Sequence, residues 1–237
     1  MLGLANGITN TSYQWQPNMV NATMVMWLRN GVGVTAAQWD DSSGNARHIT
    51  QATGGDQADV SGGGLDFEGS EADHYDITGS DIEISAEEAF MIFIVCDIES
   101  YDSQNSLLGV SGTGAFLEFQ NTTRLRIKTS TTGDTDIIQY ASGTFATGEK
   151  ALFGVQRVAG STGLVKLFKN GSLLPVAANA SGDGNNSGAI SFDVVAMRND
   201  DRHFDGKIYE MIVYEAADLK TSEINKINNY LINKHSL

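Results

Sequence analysis

The sequence predicts an all-β fold in which two antiparallel sheets pack face to face with Greek-key or jelly-roll connections, closed by one C-terminal helix. Three observations predict it. Short apolar runs with a period of two recur along the chain and give about ten to fourteen strands. The 26 glycines, against 2 prolines, are typical of strands joined by tight turns. The period changes to that of a helix near the end, and a chain of 237 residues is long enough for one such sandwich with a full core.

The last strand and the helix are predicted from residues 204–234. From Lys207 to Tyr214 the side chains alternate, and both faces are largely apolar except at Glu210. This pattern is typical of a strand inside a covered sheet.

The helix itself is predicted from Ile224, Ile227 and Leu231, which follow at spacings of three and four and form one apolar stripe. Thr221 or Ser222 is expected to cap its first turn. We expect this helix to close an edge or an end of the sandwich.

Residues 89–98 form the strongest apolar run and predict a central strand. The single cysteine, Cys96, lies in this run, so a buried core thiol is predicted rather than a nucleophile. The dipeptide Asn170-Gly171 between two strand patterns predicts a tight hairpin.

No linker and no internal repeat divides the chain, so one domain is expected over residues 25–237. Residues 1–24 are polar and weakly patterned, with Tyr13 and Trp15 as the large side chains. Two interpretations stay open for this segment. It is either an arm that docks on a neighbouring subunit or a first strand or coil that lies on its own domain.

The net charge is −14 and the pI is about 4.5, which disfavours a nucleic-acid partner. The start of the sequence has no cationic region followed by an apolar core, so no signal peptide is predicted. No run approaches the length of a membrane span, and membrane insertion is not expected.

Several stretches together resemble the laminin-G-like, concanavalin A-like lectin/glucanase superfamily. They are WDDSSGNARH at 39–48, LDFEG at 65–69, FMIFIV at 90–95, KLFKNG at 166–171, and FDGKIYEMIVY at 204–214 with the helix after it. The resemblance covers about residue 25 to the end of the sequence. It implies a concanavalin A-like β-sandwich, a fold that hosts both enzymes and binding proteins.

The opening LGLANGIT at 2–9, together with WLRNGVGVTAAQWDDSSGN at 27–45, is similar to proteins found among the structural genes of marine bacteriophages. That resemblance implies a virion component made in the host cytoplasm and placed on the virion surface. Head decoration protein, head fibre and tail adhesion module are the three forms it suggests.

Calcium is the predicted cofactor, because many domains of the laminin-G-like family hold a structural ion near a sheet edge. Asp40 and Asp41 lie in a short loop that offers several hard oxygen ligands. Asp205 would join them if the two ends of the domain adjoin. The alternative is that these aspartates only shape their turns.

The resemblance to this superfamily implies that, if the chain were a glycosidase, two carboxylates would lie on one face of one strand. Asp81 and Glu83 fit one strand face but lack a second glutamate at catalytic spacing. The acidic residues Glu68, Glu71 and Asp73 surround Gly and Ser and indicate a loop. We therefore predict that the chain is not an enzyme.

The predicted function is a non-enzymatic virion structural protein that binds capsid or tail subunits and forms a homo-oligomer. The alternative is a carbohydrate-binding adhesion module that attaches to glycans of a host surface or the environment, and a glycoside hydrolase is the least favoured reading. A lectin needs exposed aromatic rings beside polar loops. Tyr101, Tyr140 and His203 are the candidates.

Overall fold

Two antiparallel sheets stack face to face in the computed structural model of the chain, which describes residues 15–101, 105–129, 135–182, 184–215 and 219–237. An α-helix follows the last strand. The predicted class, a two-sheet β-sandwich with a C-terminal helix, is confirmed.

The described residues contain more strands than predicted, because short strands of two to four residues also form between the long apolar runs. In chain order they are β1 (Thr23–Leu28), β2 (Gln38–Trp39), β3 (Ile49–Thr50), β4 (Asp59–Ser61), β5 (Gly64–Phe67), β6 (Tyr75–Ile77), β7 (Ile82–Ile84), β8 (Phe90–Ile98), β9 (Asn105–Gly109), β10 (Phe116–Asn121), β11 (Arg124–Lys128), β12 (Thr135–Gln139), β13 (Ala151–Arg157), β14 (Val165–Lys169), β15 (Ser172–Leu173), β16 (Ala178–Ser181), β17 (Ile190–Phe192), β18 (Val194–Val195), β19 (Met197–Arg198), β20 (Arg202–His203) and β21 (Gly206–Glu215). The helix α1 covers Thr221–His235, and short 3-10 turns cover Pro17–Met19, Gly54–Asp56 and Gly69–Glu71.

The first sheet has the order β15-β14-β13-β8-β21-β5-β4, and β1 also pairs with β21. β5 pairs with residues 206–208 and β1 with residues 211–215, so the two share one edge of β21. The second sheet has the order β16-β12-β11-β10-β9-β18-β6-β3-β2. The short pairs β17-β7 and β19-β20 complete the described strands.

The period of two in β8 places its side chains in two separate cores. Ile92, Ile94 and Cys96 belong to the main core between the sheets, whereas Phe93 and Val95 belong to a second core on the outer face of the first sheet. The predicted burial of Cys96 is confirmed, and burial raises the pKa of its thiol.

Helix α1 lies across the outer face of the first sheet, so the expectation that it closes an edge or an end is wrong. Ile224, Ile227 and Leu231 are buried there in one cluster with side chains of β1, β8, β13 and β21, including Phe93 and Ile212. The reason is that the central strands are apolar on both faces, and the outer face needs a third layer to cover it.

The start of α1 also differs from the prediction, since Thr221 and Ser222 lie inside the helix and Lys220 takes the cap position. Glu223 replaces a hydroxyl cap: its carboxylate accepts a hydrogen bond from the Lys220 backbone N–H at 3.0 Å. No helix of the described residues is long and apolar enough to cross a membrane.

The segment that precedes β1 lies beside α1 on the same outer face. Trp15, Val20 and Ala22 pack against the second core, and the Tyr214 hydroxyl donates to the Pro17 carbonyl at 3.0 Å. Within residues 15–22 the contacts are thus with the chain's own domain, while residues 1–14 lie outside the described residues.

The predicted hairpin at Asn170-Gly171 is confirmed, because β14 and β15 pair directly across it. Asn170 has φ of 47° and Gly171 has φ of 79°, so both turn residues take the left-handed conformation that this two-residue turn requires.

Candidate functional site

Glu210, the polar exception in the last strand, is fully buried under α1 and joins three elements. Its Oε1 accepts a hydrogen bond from Trp27 Nε1 of β1 at 2.8 Å. Its Oε2 lies 2.7 Å from Lys234 Nζ and 2.8 Å from His235 Nε2, both in the last turn of α1. These contacts fix the end of the helix on the first sheet.

Two opposing effects act on the Glu210 carboxyl. Burial raises its pKa, while hydrogen bonds from His235, Lys234 and Trp27, together with the Lys234 charge, lower it. The lowering wins, and the pKa lies below the ordinary value of a glutamate. The ionised form is therefore the one that the fold holds.

Beside the Glu210 carboxylate, α1 and the N-terminal segment line an open cleft of about 720 Å³, named here the aromatic cleft. The helix contributes side chains at spacings of three and four, on a face turned away from its buried stripe. The lining residues are Trp15, Arg29, Lys226, Asn229, Tyr230, Asn233 and Lys234.

The rings in the aromatic cleft meet edge to face. The Trp15 and Tyr230 centroids are 6.2 Å apart at 68°, and Trp27 lies behind Tyr230 at 6.4 Å. The Arg29 guanidinium lies over the Trp27 ring, 5.0 Å from its centroid. Lys234 Nζ lies 5.7 Å from the Tyr230 centroid. Trp15 and Tyr230 are partly exposed, so the arrangement offers ring surface to a ligand.

Tyr230 also supplies a polar group to the cleft. Burial raises the pKa of its hydroxyl, the nearby Glu210 charge raises it further, and Arg29 acts in the opposite direction. The pKa stays above its ordinary value, so the hydroxyl remains protonated at neutral pH and can donate a hydrogen bond.

The three aromatic residues proposed from sequence are placed elsewhere. Tyr140 and His203 are buried, with 2% and 7% of their surface exposed. The Tyr101 hydroxyl donates to the Phe145 carbonyl at 2.6 Å, and the ring packs against the main core. The sequence carried a signal for Tyr230, which stands beside the apolar stripe of the helix, but nothing in it indicated that Trp15 would lie next to it.

Asp81 and Glu83 line a second open pocket of about 540 Å³, named here the acidic pocket, together with Asp193. Asp81 immediately precedes β7, and Glu83 lies within it. Because Ile82 and Ile84 are buried and side chains alternate along a strand, both acids lie on the outward face, as predicted. Ser191 Oγ donates to Asp81 Oδ2 at 3.3 Å. Asp193 accepts from the Ser111 backbone N–H at 2.8 Å and from Ser111 Oγ at 3.1 Å.

Asp40, Asp41 and Asp205, the predicted calcium ligands, do not form one group in the part of the chain that the structure describes. The Asp41 carboxylate accepts hydrogen bonds from the backbone N–H groups of Trp27, Ser43 and Arg47 at 2.8 to 3.1 Å. Asp205 lies instead beside Gly69. For Asp41 the geometry is that of a residue which holds its own loop.

A different set, Asp66, Glu68 and Glu99, brings three carboxylates within 4.8 Å of one another. Asp66 Oδ1 is buried and has no hydrogen-bond partner among the described residues, which favours a cation. However, Lys207 Nζ already lies 3.0 Å from Asp66 Oδ2 and 2.6 Å from Glu99 Oε1. Calcium takes six to eight oxygen ligands, and a lysine that bridges two of three carboxylates does not leave such a shell. These three described carboxylates do not complete a calcium site.

The fold is that of a jelly-roll β-sandwich domain. Among solved structures, the chain is similar to domain 4 of AbnA, a GH43 extracellular arabinanase from Geobacillus stearothermophilus, solved with arabinotriose; the TM-score is 0.54, the identity 16%, and the match covers 87% of this chain and 98% of that one. It is similar to the botulinum neurotoxin type G receptor binding domain with a TM-score of 0.55 and 13% identity, over 88% and 51% of the two chains. It also matches Trypanosoma rangeli sialidase with a TM-score of 0.53 and 15% identity, over 89% of this chain.

At these identities the likeness shows the fold, which agrees with the concanavalin A-like architecture implied by the sequence. The chain spans 33% of the length of the sialidase. No protein-family model matches the sequence, and no curated protein matches it either. The comparisons give no support to a bacteriophage origin.

Proposed function

We propose that the chain is a non-catalytic carbohydrate-binding domain and that the aromatic cleft holds the sugar. The observation that carries the proposal is the meeting of Trp15 and Tyr230 in one open cleft that also contains amide side chains. Sugars present C–H faces that pack on aromatic rings, and hydroxyl groups that pair with amides. Asn229 and Asn233 supply those amides on the same helix face.

A rigid base supports this use of the cleft. The Glu210 carboxylate accepts a hydrogen bond from Trp27 and forms an ion pair with Lys234. The Trp27 ring in turn packs edge to face against the Tyr230 ring. Side chains fixed by buried hydrogen bonds lose little freedom when a ligand binds. The solved complex of the arabinanase domain with arabinotriose adds that one domain of similar fold carries a sugar ligand.

The first prediction tests this proposal with the substitution Trp15→Ala. A glycan array identifies the ligand, and isothermal titration calorimetry of that ligand should show affinity at least about tenfold weaker for the variant, because a stacking surface worth about 1.4 kcal/mol is lost. Met19→Ala is the matched control, since Met19 is exposed in the same segment but does not line the cleft. Equal affinities for Trp15→Ala and wild type would mean that the sugar binds outside the aromatic cleft. An array on which no glycan bound would contradict the proposed function.

A hydrolase remains the competing reading, because Asp81 and Glu83 do share the acidic pocket. A glycosidase needs one acid and one nucleophile or base placed across the scissile bond. A hydrolase is disfavoured because the Asp193 carboxylate already accepts hydrogen bonds from Ser111, and the Asp81 carboxylate accepts one from Ser191. Product release from a polysaccharide panel that stops in Asp81→Asn and Glu83→Gln would establish the hydrolase.

The role as a virion surface protein stays a proposal that rests on the sequence resemblance. A glycan-binding domain and a decoration or adhesion protein are compatible, because such a domain can be displayed on a particle. Locating the chain in a particle image, in copies set by the particle's symmetry, would establish that role together with its partner subunits and its oligomeric state.

A further inference from the structure

The aromatic cleft is cationic on a strongly acidic protein. The chain carries a net charge of −14, yet none of the described residues that line the cleft is Asp or Glu, and three are Arg29, Lys226 and Lys234. Lys234 is paired with the buried Glu210 at 2.7 Å. Arg29 and Lys226 are the cations left over.

Arg29 and Lys226 have no carboxylate within 4.0 Å among the described residues, whereas six other described Lys and Arg side chains make such pairs. Arg47 and Arg157 instead donate hydrogen bonds to backbone carbonyls. The Arg29 guanidinium lies over the Trp27 ring, 5.0 Å from its centroid, and this planar group carries five N–H donors. A planar guanidinium of this kind matches a carboxylate or a sulfate through two parallel hydrogen bonds.

We propose that the aromatic cleft selects an acidic saccharide, in which a carboxylate or sulfate on the sugar is bound by Arg29 and Lys226. This inference rests on the proposed function, since it names the class of glycan for the same cleft. The ring of the sugar packs against Trp15 and Tyr230 while the anionic group reaches Arg29. The protein's remaining negative charge opposes the ligand only weakly, because at physiological salt charges farther than about 8 Å are largely screened.

The test compares acidic oligosaccharides with uncharged partners of the same sugar backbone, by isothermal titration calorimetry at physiological salt. One pair is trigalacturonic acid and its methyl ester, and the other is a sulfated galactan tetrasaccharide and its desulfated form. We expect at least one acidic form to bind tenfold or more tightly than its uncharged partner. The two pairs distinguish a carboxylate from a sulfate as the bound group.

Arg29→Gln and Lys226→Gln should each reduce that preference, Arg29→Gln to below about threefold. Lys226 is exposed on the helix surface, so its variant keeps the test valid if Arg29→Gln lowers the melting temperature. Lys128→Gln is the matched control, because Lys128 lies on β11 of the second sheet, outside the cleft.

Three results would overturn the proposal. The acidic and uncharged forms could bind equally, the preference could survive in both cleft variants, or neither acidic probe could bind. If a neutral glycan from the array still bound and required Trp15, the proposed function would stand without this inference. If no glycan bound at all, both would be removed.

Discussion

At the scale of single residues, Glu210 shows what the sequence can and cannot reveal. Its position as the polar exception in an apolar strand was visible in the sequence. Its contacts with Trp27 and His235 were not visible, because Trp27 precedes Glu210 by 183 positions and His235 follows it by 25. The pairing of β1 with β21 brings Trp27 to Glu210, and the packing of α1 on the same face brings His235.

The second prediction concerns Glu210→Gln, which removes a buried charge that is paired with Lys234 and hydrogen-bonded to His235. Breaking such a group leaves its partners uncompensated, so the free energy of unfolding at pH 7 should fall by about 3 kcal/mol. Urea denaturation followed by tryptophan fluorescence measures it. Glu83→Gln is the control, because Glu83 is exposed on β7 and should change stability by less than about 0.5 kcal/mol.

The same variant has a pH signature. The folded pKa of Glu210 lies below its ordinary value, so the stabilisation is present above about pH 4.5 and is lost as the pH falls through the lower folded pKa. The third prediction is therefore that the stability difference between wild type and Glu210→Gln shrinks as the pH is lowered from 5 towards 3. A difference that stayed constant over this interval would mean that the Glu210 charge is not what stabilises the fold.

At the scale of elements, the periodicities of two and of 3.6 were enough to predict the strands, the hairpin at Asn170-Gly171 and the apolar stripe of α1. They could not predict where the helix lies, because an apolar stripe shows that one helix face is buried but does not show which surface it packs against. The position of the helix was indicated by the apolar outer faces of β8 and β21, because a sheet that is apolar on both faces must be covered on both.

The fourth prediction tests α1 as a third layer through Ile227→Ala. Ile227 is fully buried between the helix and the first sheet, so the cavity should cost about 2 to 4 kcal/mol of unfolding free energy, measured by urea denaturation. Asn225→Ala, two positions earlier on the exposed face, should be neutral within about 0.5 kcal/mol. A neutral Ile227→Ala would be incompatible with the helix as a packed layer.

At the scale of the whole molecule, composition and length predicted one acidic β-sandwich, and they could not predict the surface proposed to bind a ligand. The aromatic cleft is assembled from the N-terminal segment, from the residue after β1 and from α1, which lie far apart in the sequence. The candidates that sequence reasoning favoured were aromatic residues whose exposure it could not determine, and two of them proved to be core residues.

The fifth prediction concerns the net charge of −14. Self-repulsion of like charges opposes the compact state, so added salt should raise the melting temperature by screening. Because the described carboxylates do not complete a calcium shell, we expect 5 mM calcium and 5 mM magnesium to raise it equally in differential scanning calorimetry. A rise specific to calcium, reversed by a chelator, would restore the calcium ion predicted from the sequence.

The pairing of the first strand with the last has a mechanical consequence. β1 runs antiparallel to β21, with Thr23 opposite Glu215, so the N-terminal segment and α1 leave the sheet at the same end. Tension between the two chain termini would therefore peel the strands apart one hydrogen-bonded pair at a time, instead of shearing the whole ladder at once. The layer that would come away first is the one that carries the aromatic cleft, so a pulling load would disrupt this cleft before the sandwich itself opened.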